Sequence, residues 1–317
     1  MKQASGLKIH YMWLDPRRLS LLLAVHRYGG VLAAADELNV TASAVSQQMA
    51  KLETEVGITL LDRRPHGAVL TPAGRVLIET AERIEAELTD ARRALAVQQG
   101  AITGTVTIGA FQSILQAVLI PLVAELSQRM PGVRLVLKDV LADDGMRQLR
   151  SGAIDVLMLE ADNPSSSTAP RGTHDVVILD EPWLVAVPAA GPIPATLDDL
   201  CNHTWLGVDP TAAAHAATER VLAMFTPKPL ILHSISNSDV AISMVAGGLG
   251  VALLPSLVLV GALRKQGVQA ARLTGLGSRR VVARHRTSRA EPRREVTRVL
   301  EQVQAACDAL DLTSSAR

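Results

Sequence analysis

A change of hydrophobic period near Gly100–Gly104 constrains this chain more than any other feature. Before it, apolar residues recur at helical spacing, as in Val45, Met49, Leu52 and Val56, set apart by steps of four, three and four. After it, strand-like runs at Thr105–Ala110, Val133–Val140 and Ile154–Glu160 alternate with helical stretches at about 113–129 and 144–152. Two periods mean two kinds of core: helix on helix first, then helices covering a parallel sheet. A length of 317 residues allows two or three domains, and 48% hydrophobic residues can fill them. Aromatic residues are only 2%, so those cores are built from Ala, Val and Leu.

The N-terminal helices have readable ends. Asp15-Pro16 predicts a start, with Asp as N-cap and Pro at the first helical position. Leu19, Leu22, Leu23 and His26 would face inward, and Gly29-Gly30 would stop the helix. An alanine-rich helix follows from about 32 to 38, and Asn39 can adopt the left-handed conformation that ends it. Thr41 or Ser43 then caps a third helix. Two short helices joined by a turn of about four residues make a helix-turn-helix at about 31–50. Ile58–Leu61 and Ala68–Thr71, on either side of the basic turn Asp62–Gly67, predict a hairpin wing.

The outer side of the third helix carries Ser43, Gln47, Lys51 and Thr54, not the Glu/Lys mixture of a solvated surface. A helix fits the DNA major groove, and short side chains let its backbone come close. Gln47 can offer paired donor and acceptor to adenine, Ser43 can bond a base edge or a phosphate, and Lys51 can reach a phosphate. Ser46 and Gln48 sit on the flanks, where backbone contacts are more natural, and Thr41 and Ala44 complete the DNA-facing set. Arg17 and Arg18 at the first helix start, with Arg63, Arg64 and His66 on the wing, add phosphate contacts. A net charge of +1 excludes a general polycation, yet residues 1–75 hold nine basic against six acidic side chains.

From Pro72 to about residue 97 a longer helix places Leu77, Ala81, Ile84, Leu88, Ala91 and Leu95 at alternating steps of four and three. That is a heptad seam and predicts dimerisation, although it spans just under three heptads; packing on its own domain is the alternative. Further strands are expected at 176–179, 183–188, 205–209, 231–234, 251–255 and 280–286, with helices near 213–225, 238–246 and 293–310. The uncharged run Val240–Leu263 is long enough to cross a bilayer, but Gly247, Gly248, Gly250 and Pro255 break it, so it reads as helix end, turn and buried strand. No lysine-led apolar leader opens the chain, which points to the cytoplasm. Cys201 and Cys307 form no CxxC pair, the eight histidines show no ligand spacing, and no GxSxG, HExxH or P-loop occurs. No catalytic residue, metal or cofactor is therefore expected.

The stretch GGVLAAADELNVTASAVSQQMAKLETEVGITLLDRRPHGAVLTPAG resembles the N-terminal signature of the LysR-type transcriptional regulators. The matching features are the alanines at 33–35 before Leu38, Ala44-Val45-Ser46 with Gln48, Leu52-Glu53, Val56-Gly57, Leu60, Arg63, Leu70-Thr71 and Ala73-Gly74. Leu61, where the family usually has Phe, and Ala42, where Gln is common, depart from it. The resemblance implies an α/β protein with an N-terminal winged helix-turn-helix, a long dimerising linker helix, and a two-lobed effector domain similar to periplasmic binding proteins, with parallel or mixed sheets. Domain limits would be 1–72, 73–99 and 104–317, with lobe I at 104–180 and 280–310 and lobe II at 181–278. Crossovers would lie near Leu179–Pro182 and near Gln269–Arg279.

The function so implied is sequence-specific DNA binding modulated by a small organic effector of unknown identity between the lobes. Ligands of open α/β sheets sit beyond the carboxyl ends of strands, which nominates Phe111, Gln112, Ser113, Asp209, Ser236, Asn237 and Ser238; simple N-capping by Ser113 and Ser238 is the alternative. Arg279, Arg280, Arg284 and Arg286 read as a solvated edge. Expected partners are double-stranded DNA bearing an inverted repeat, the chain itself as homodimer or homotetramer, and RNA polymerase, with no membrane. A cytoplasmic solute-binding protein without DNA binding is the rival reading, but it leaves Asp15–Gly74 and the 77–95 seam unexplained.

Overall fold

The computed structural model describes residues 14–64, 67–96, 104–161, 169–210, 214–262, 267–287, 292–310 and 312. It divides into two compact units, Met1–Gln98 with Arg150–Gly152, and Gln99–Leu149 with Ala153–Arg317.

In the first unit, helix α1 (Pro16–Arg27) starts where the Asp15 carboxylate accepts the Arg17 N–H at 2.9 Å. Helix α2 (Val31–Glu37) ends near Asn39, whose φ of 54° is the left-handed stop expected. Helix α3 (Ala42–Val56) is capped by Thr41, whose Oγ1 accepts the Ala44 N–H at 3.2 Å, and closes on Gly57 at φ 70°. Leu19, Leu22, Leu23, Ala34, Ala35, Val45, Met49 and Leu52 make one core. His26, expected inside, is exposed. Val25 is buried instead, because α1 packs against both α3 and a later helix, which widens its inner face.

The wing is an antiparallel pair, β1 (Leu61–Arg64) and β2 (Gly67–Leu70), with Leu61 opposite Leu70. Its first strand begins three residues later than the sequence suggests, and Ile58 and Thr59 lie exposed outside it. Glu53 accounts for the shift: its Oε1 accepts the N–H groups of Leu60 and Leu61 at 2.8 and 3.1 Å, tying the chain to α3 there. Helix α4 (Pro72–Ala96) is capped by Thr71, whose Oγ1 accepts the Gly74 N–H at 3.0 Å. A Cβ on Gly74 would collide with the Leu60 carbonyl, so only glycine fits. Along α4, Ile78 and Ala81 are buried, and Leu77 and Ile84 pack on the same core. Arg27 of α1 grips Glu85 through two bonds of 3.1 and 2.6 Å.

The second unit begins with β3 (Gly104–Ala110), α5 (Gln112–Ile114), a π-helical stretch Leu115–Leu119 and α6 (Ile120–Arg129). Then come β4 (Val133–Asp139), α7 (Ala142–Arg150), β5 (Val156–Ala161) and β6 (Thr173–Pro188). Next are β7 (Trp205–Val208), α8 (His215–Leu222), β8 (Ile231–Ile235), α9 (Ser238–Ala246), β9 (Ala252–Pro255) and α10 (Ser256–Ala262). Strands β10 (Val268–Ala271) and β11 (Ser278–Arg286) and helix α11 (Arg294–Asp308) complete it.

The main sheet runs β10-β6-β11-β5-β3-β4, with β9 also on β6. β3 is parallel to β4 and β5, whereas β11 is antiparallel to β5 and β6, so the sheet is mixed. The two strands expected at 176–179 and 183–188 are one strand of 16 residues. Its first part pairs with β11 and its second with β9 and β10, so the chain passes from lobe I to lobe II along continuous strand. Alternation along β6 explains two lobe II cores: Trp183 and Val185 join Trp205, Val221 and Leu253, while Leu184 and Ala186 join Ile242, Val245 and Leu254. Lobe I is filled by Val106, Ile108, Ile114, Leu119, Val156, Val281, Val299 and Val303. The uncharged run from 240 onward becomes the rest of α9, a turn at Gly248 (φ 75°), β9 and α10. Among the described residues no helix is long and apolar enough to cross a membrane.

Candidate functional site

Helix α3 shows a sharp division. Val45, Met49 and Leu52 are buried at 0–2% exposure, whereas Thr41, Ser43, Ala44, Gln47, Lys51 and Thr54 are all exposed. The 100° advance per residue puts Ser43, Gln47 and Lys51 on one stripe. That stripe has hydroxyl, amide and ammonium groups and no carboxylate. Ser46 and Gln48 are half-buried on its flanks, and Arg17 is exposed at the start of α1. Arg18 behaves differently. It donates from Nε to Gln48 Oε1 at 3.0 Å and pairs through Nη1 with Glu55 of α3. Arg63 and Arg64 lie in β1, but their side chains, like His66, fall outside the described residues.

Within α4 the six seam positions separate. Leu77, Ala81 and Ile84 are used by the unit's own core, as the alternative reading of that helix expects. Leu88 (56% exposed) and Ala91 remain open, and the Leu95 side chain lies outside the described residues.

The residues nominated for an effector stand at strand ends of the second unit. Phe111, Gln112 and Ser113 follow β3; Asp209 follows β7; Ser236, Asn237 and Ser238 follow β8. Asp209 donates its N–H to the Ile235 carbonyl at 2.8 Å, which places it beside the Ser236 turn. Gln112 joins the two lobes: its Nε2 donates to Asp239 Oδ2 at 2.6 Å, linking the first turn of α5 in lobe I to the first turn of α9 in lobe II. Neither serine is an N-cap. Asn237 caps α9 by accepting the N–H groups of Asp239 and Val240 at 2.8 and 3.3 Å. Ser113 is buried, and its Oγ accepts from Arg279 Nη2 at 2.8 Å.

Arg279 is the residue the sequence reading missed. It is 7% exposed and far from a solvated edge. Its Nε donates to Glu181 Oε2 at 2.8 Å, and its Nη1 pairs with Glu160. The guanidinium lies over the rings of Phe111 and Trp183, 5.1 and 5.7 Å from their centroids. Glu181, fully buried, also accepts the Leu257 N–H at the start of α10 at 2.5 Å. One cation and two carboxylates thus join Ser113 and Glu160 of lobe I, both long strands, and α10 of lobe II. A signal existed: Arg279 shares strand parity with Val281, Ala283 and His285, all buried. Of its neighbours in the arginine run, Arg280 grips Asp180 at 2.7 and 2.8 Å, a bond that holds the Asp180 carboxyl below its usual range. Arg284 grips Asp175 at 2.6 and 2.7 Å, and Arg286 is buried.

The two thiols lie apart in chemistry. Cys201 is exposed, whereas Cys307 is buried in the lobe I core, which pushes its thiol up to about 12. Among the described residues no group of three or more His, Cys, Asp or Glu side chains could hold a metal ion.

Comparison with known proteins adds to this geometry. Residues 16–75 match the family model of the bacterial regulatory helix-turn-helix protein, lysR family, and residues 99–308 match the LysR substrate binding domain. The chain is similar to the probable HTH-type transcriptional regulator LrrA of Synechococcus elongatus, at 30% identity over 77% of this chain and 81% of that one. It is also similar to the HTH-type transcriptional regulator CfxR of Cupriavidus necator, at 29% identity over 76% and 75%. Among solved structures, full-length OxyR from Pseudomonas aeruginosa superposes with a TM-score of 0.66 at 19% identity, covering 95% of this chain and 96% of that one. Full-length CbnR in complex with its target DNA gives a TM-score of 0.60 at 22% identity, covering 92% and 99%.

Proposed function

Because the chain belongs to the LysR family of bacterial transcriptional regulators and is a DNA-binding regulator with an effector domain, we propose that it reads an inverted repeat as a homo-oligomer and responds to a small organic molecule held between its lobes. The observation that carries the DNA half is the bare stripe of α3, buried on one side through Val45, Met49 and Leu52 and free of carboxylates at Ser43, Gln47 and Lys51. In the major groove Gln47 meets a base edge, Ser43 a base edge or phosphate, and Lys51 a phosphate, while Thr41 and Ala44 let the helix start approach. Arg17 and the wing residues Arg63, Arg64 and His66 add backbone contacts. Leu88 and Ala91, left open on α4, join the helix to a second copy, so that two copies of α3 face successive grooves. RNA polymerase is a further partner, and the working compartment is the cytoplasm.

The effector half rests on the strand ends at 111–113, 209 and 236–238, bridged by Gln112 and Asp239. An effector seated there competes with that bridge and so prefers one relation of the lobes over another, which is what population shift requires. No metal, cofactor or catalytic step is involved. Selection of bound sequences from a random duplex pool tests the whole reading: an enriched inverted repeat is expected, and enrichment of no sequence at low salt defeats it.

A further inference from the structure

Arg18 has the chemistry of a phosphate clamp, but its surroundings are wrong for one. Its guanidinium pairs with Glu55 and stands 4.0 Å from the Asp15 carboxylate, so a phosphate brought to it would meet two negative groups. Its Nε is directed instead at the side chain of Gln48, 30 residues away and on the flank of α3. An arginine has five N–H donors and no acceptor. The Gln48 atom facing it must therefore be the carbonyl oxygen, and the amide nitrogen of Gln48 turns to the other side. Along α3, Ala44 and Lys51 are four residues before and three after Gln48, and both are exposed on the same flank.

We propose that Arg18 is a positioning residue of the DNA interface: by holding the Gln48 carbonyl turned toward α1 it leaves the amide nitrogen facing outward, fixed to bond a phosphate oxygen of the duplex. This inference rests on α3 being the DNA-reading helix. Adenine readout by a glutamine needs its donor and acceptor presented side by side, and with the Gln48 oxygen turned toward Arg18 only the donor faces outward. Gln47, one position earlier and exposed, offers both atoms to a base. Glu55 and Asp15 balance the Arg18 charge, so the group acts through geometry and not through its own attraction for the backbone.

The test uses the full-length protein and a duplex that the wild type has enriched from a random pool, with affinity measured as a function of salt. Arg18→Met and Gln48→Met are each expected to weaken binding by about tenfold, the effect of one hydrogen bond to a charged group. The double variant should bind no more weakly than Gln48→Met alone, and the salt slope should stay unchanged. Multiplying losses overturn the proposal, as does a slope made shallower by about one by Arg18→Met, which is the mark of a direct phosphate contact. Gln48→Glu decides the matter even if Arg18→Met fails to fold, because it keeps the acceptor for Arg18 and removes the donor. It should weaken all duplexes alike with an unchanged melting temperature; unaltered affinity, or a changed preference at one base pair, overturns the proposal. A wild type that enriches no duplex defeats the placement of α3 itself, an outcome distinct from these.

Discussion

Gln47 and Lys51 lie one turn apart on the exposed side of α3, yet their substitutions should behave differently. Gln47→Ala is expected to relax preference at one base pair by about 1–3 kcal/mol, visible as a flattened position in duplex selection. Lys51→Ala should weaken all sequences equally and reduce the salt slope by about one. The thiols allow a second residue-level prediction. With its pKa raised to about 12 by burial, Cys307 stays protonated at pH 8. A maleimide at that pH should label Cys201 in the native protein and Cys307 only after denaturation; equal labelling of both would contradict the burial. The same pair gives no basis for a disulfide switch, since one thiol is on the surface of lobe II and the other in the core of lobe I.

At the scale of elements, α4 changes character along its length. Its first half is committed to the N-terminal core through Ile78 and Ala81, and Arg27 and Glu85 fasten it to α1. Among the described seam positions, Leu88 and Ala91 are open for a partner helix. Leu88→Glu should therefore dissociate the oligomer without unfolding the winged helix, as read by sedimentation and circular dichroism; an unchanged mass would remove α4 as the dimer seam. Ala81→Glu, by contrast, should unfold the first unit, because it buries a charge in that unit's own core. The wing has its own support in Glu53, which accepts both the Leu60 and Leu61 N–H groups.

For the effector domain as a whole, the group that joins the lobes is ionic. Glu181 is fully buried, so Arg279→Met leaves a carboxylate uncompensated there and should cost about 3–5 kcal/mol in the unfolding of that unit. Arg280→Met, next in the chain but paired at the surface with Asp180, should leave unfolding nearly unchanged. Equal effects of the two in urea titration would mean that the buried pair does not hold the lobes. The cluster also bears on effector chemistry. With two carboxylates already on one guanidinium, Arg279 has no spare positive charge to attract an anion.

Local features of this chain were legible in its amino-acid order because they depend on neighbours within a turn or two. The Asp15 and Thr41 caps rest on bonds to residues two and three positions on, the Asn39 stop lies in one residue's backbone, and the stripe of α3 with its bare outer side shows as an apolar spacing of three and four. Most strands of the effector domain were legible through apolar runs of the right length, but the short edge strand β10 was read as part of a crossover. What the order of residues left open involves partners brought together only by folding. Arg18 meets Gln48 across 30 residues, Glu181 meets Arg279 across 98, and Ser113 meets Arg279 across 166. The continuity of β6 across both lobes also came from its sheet partners, since pairing with β11, β9 and β10 keeps extended a segment whose own sequence suggests a break at Pro182. A charged side chain in a strand carries no local mark of whether its face will be covered, and for Arg279 the covering was supplied by Phe111, Trp183 and two distant carboxylates.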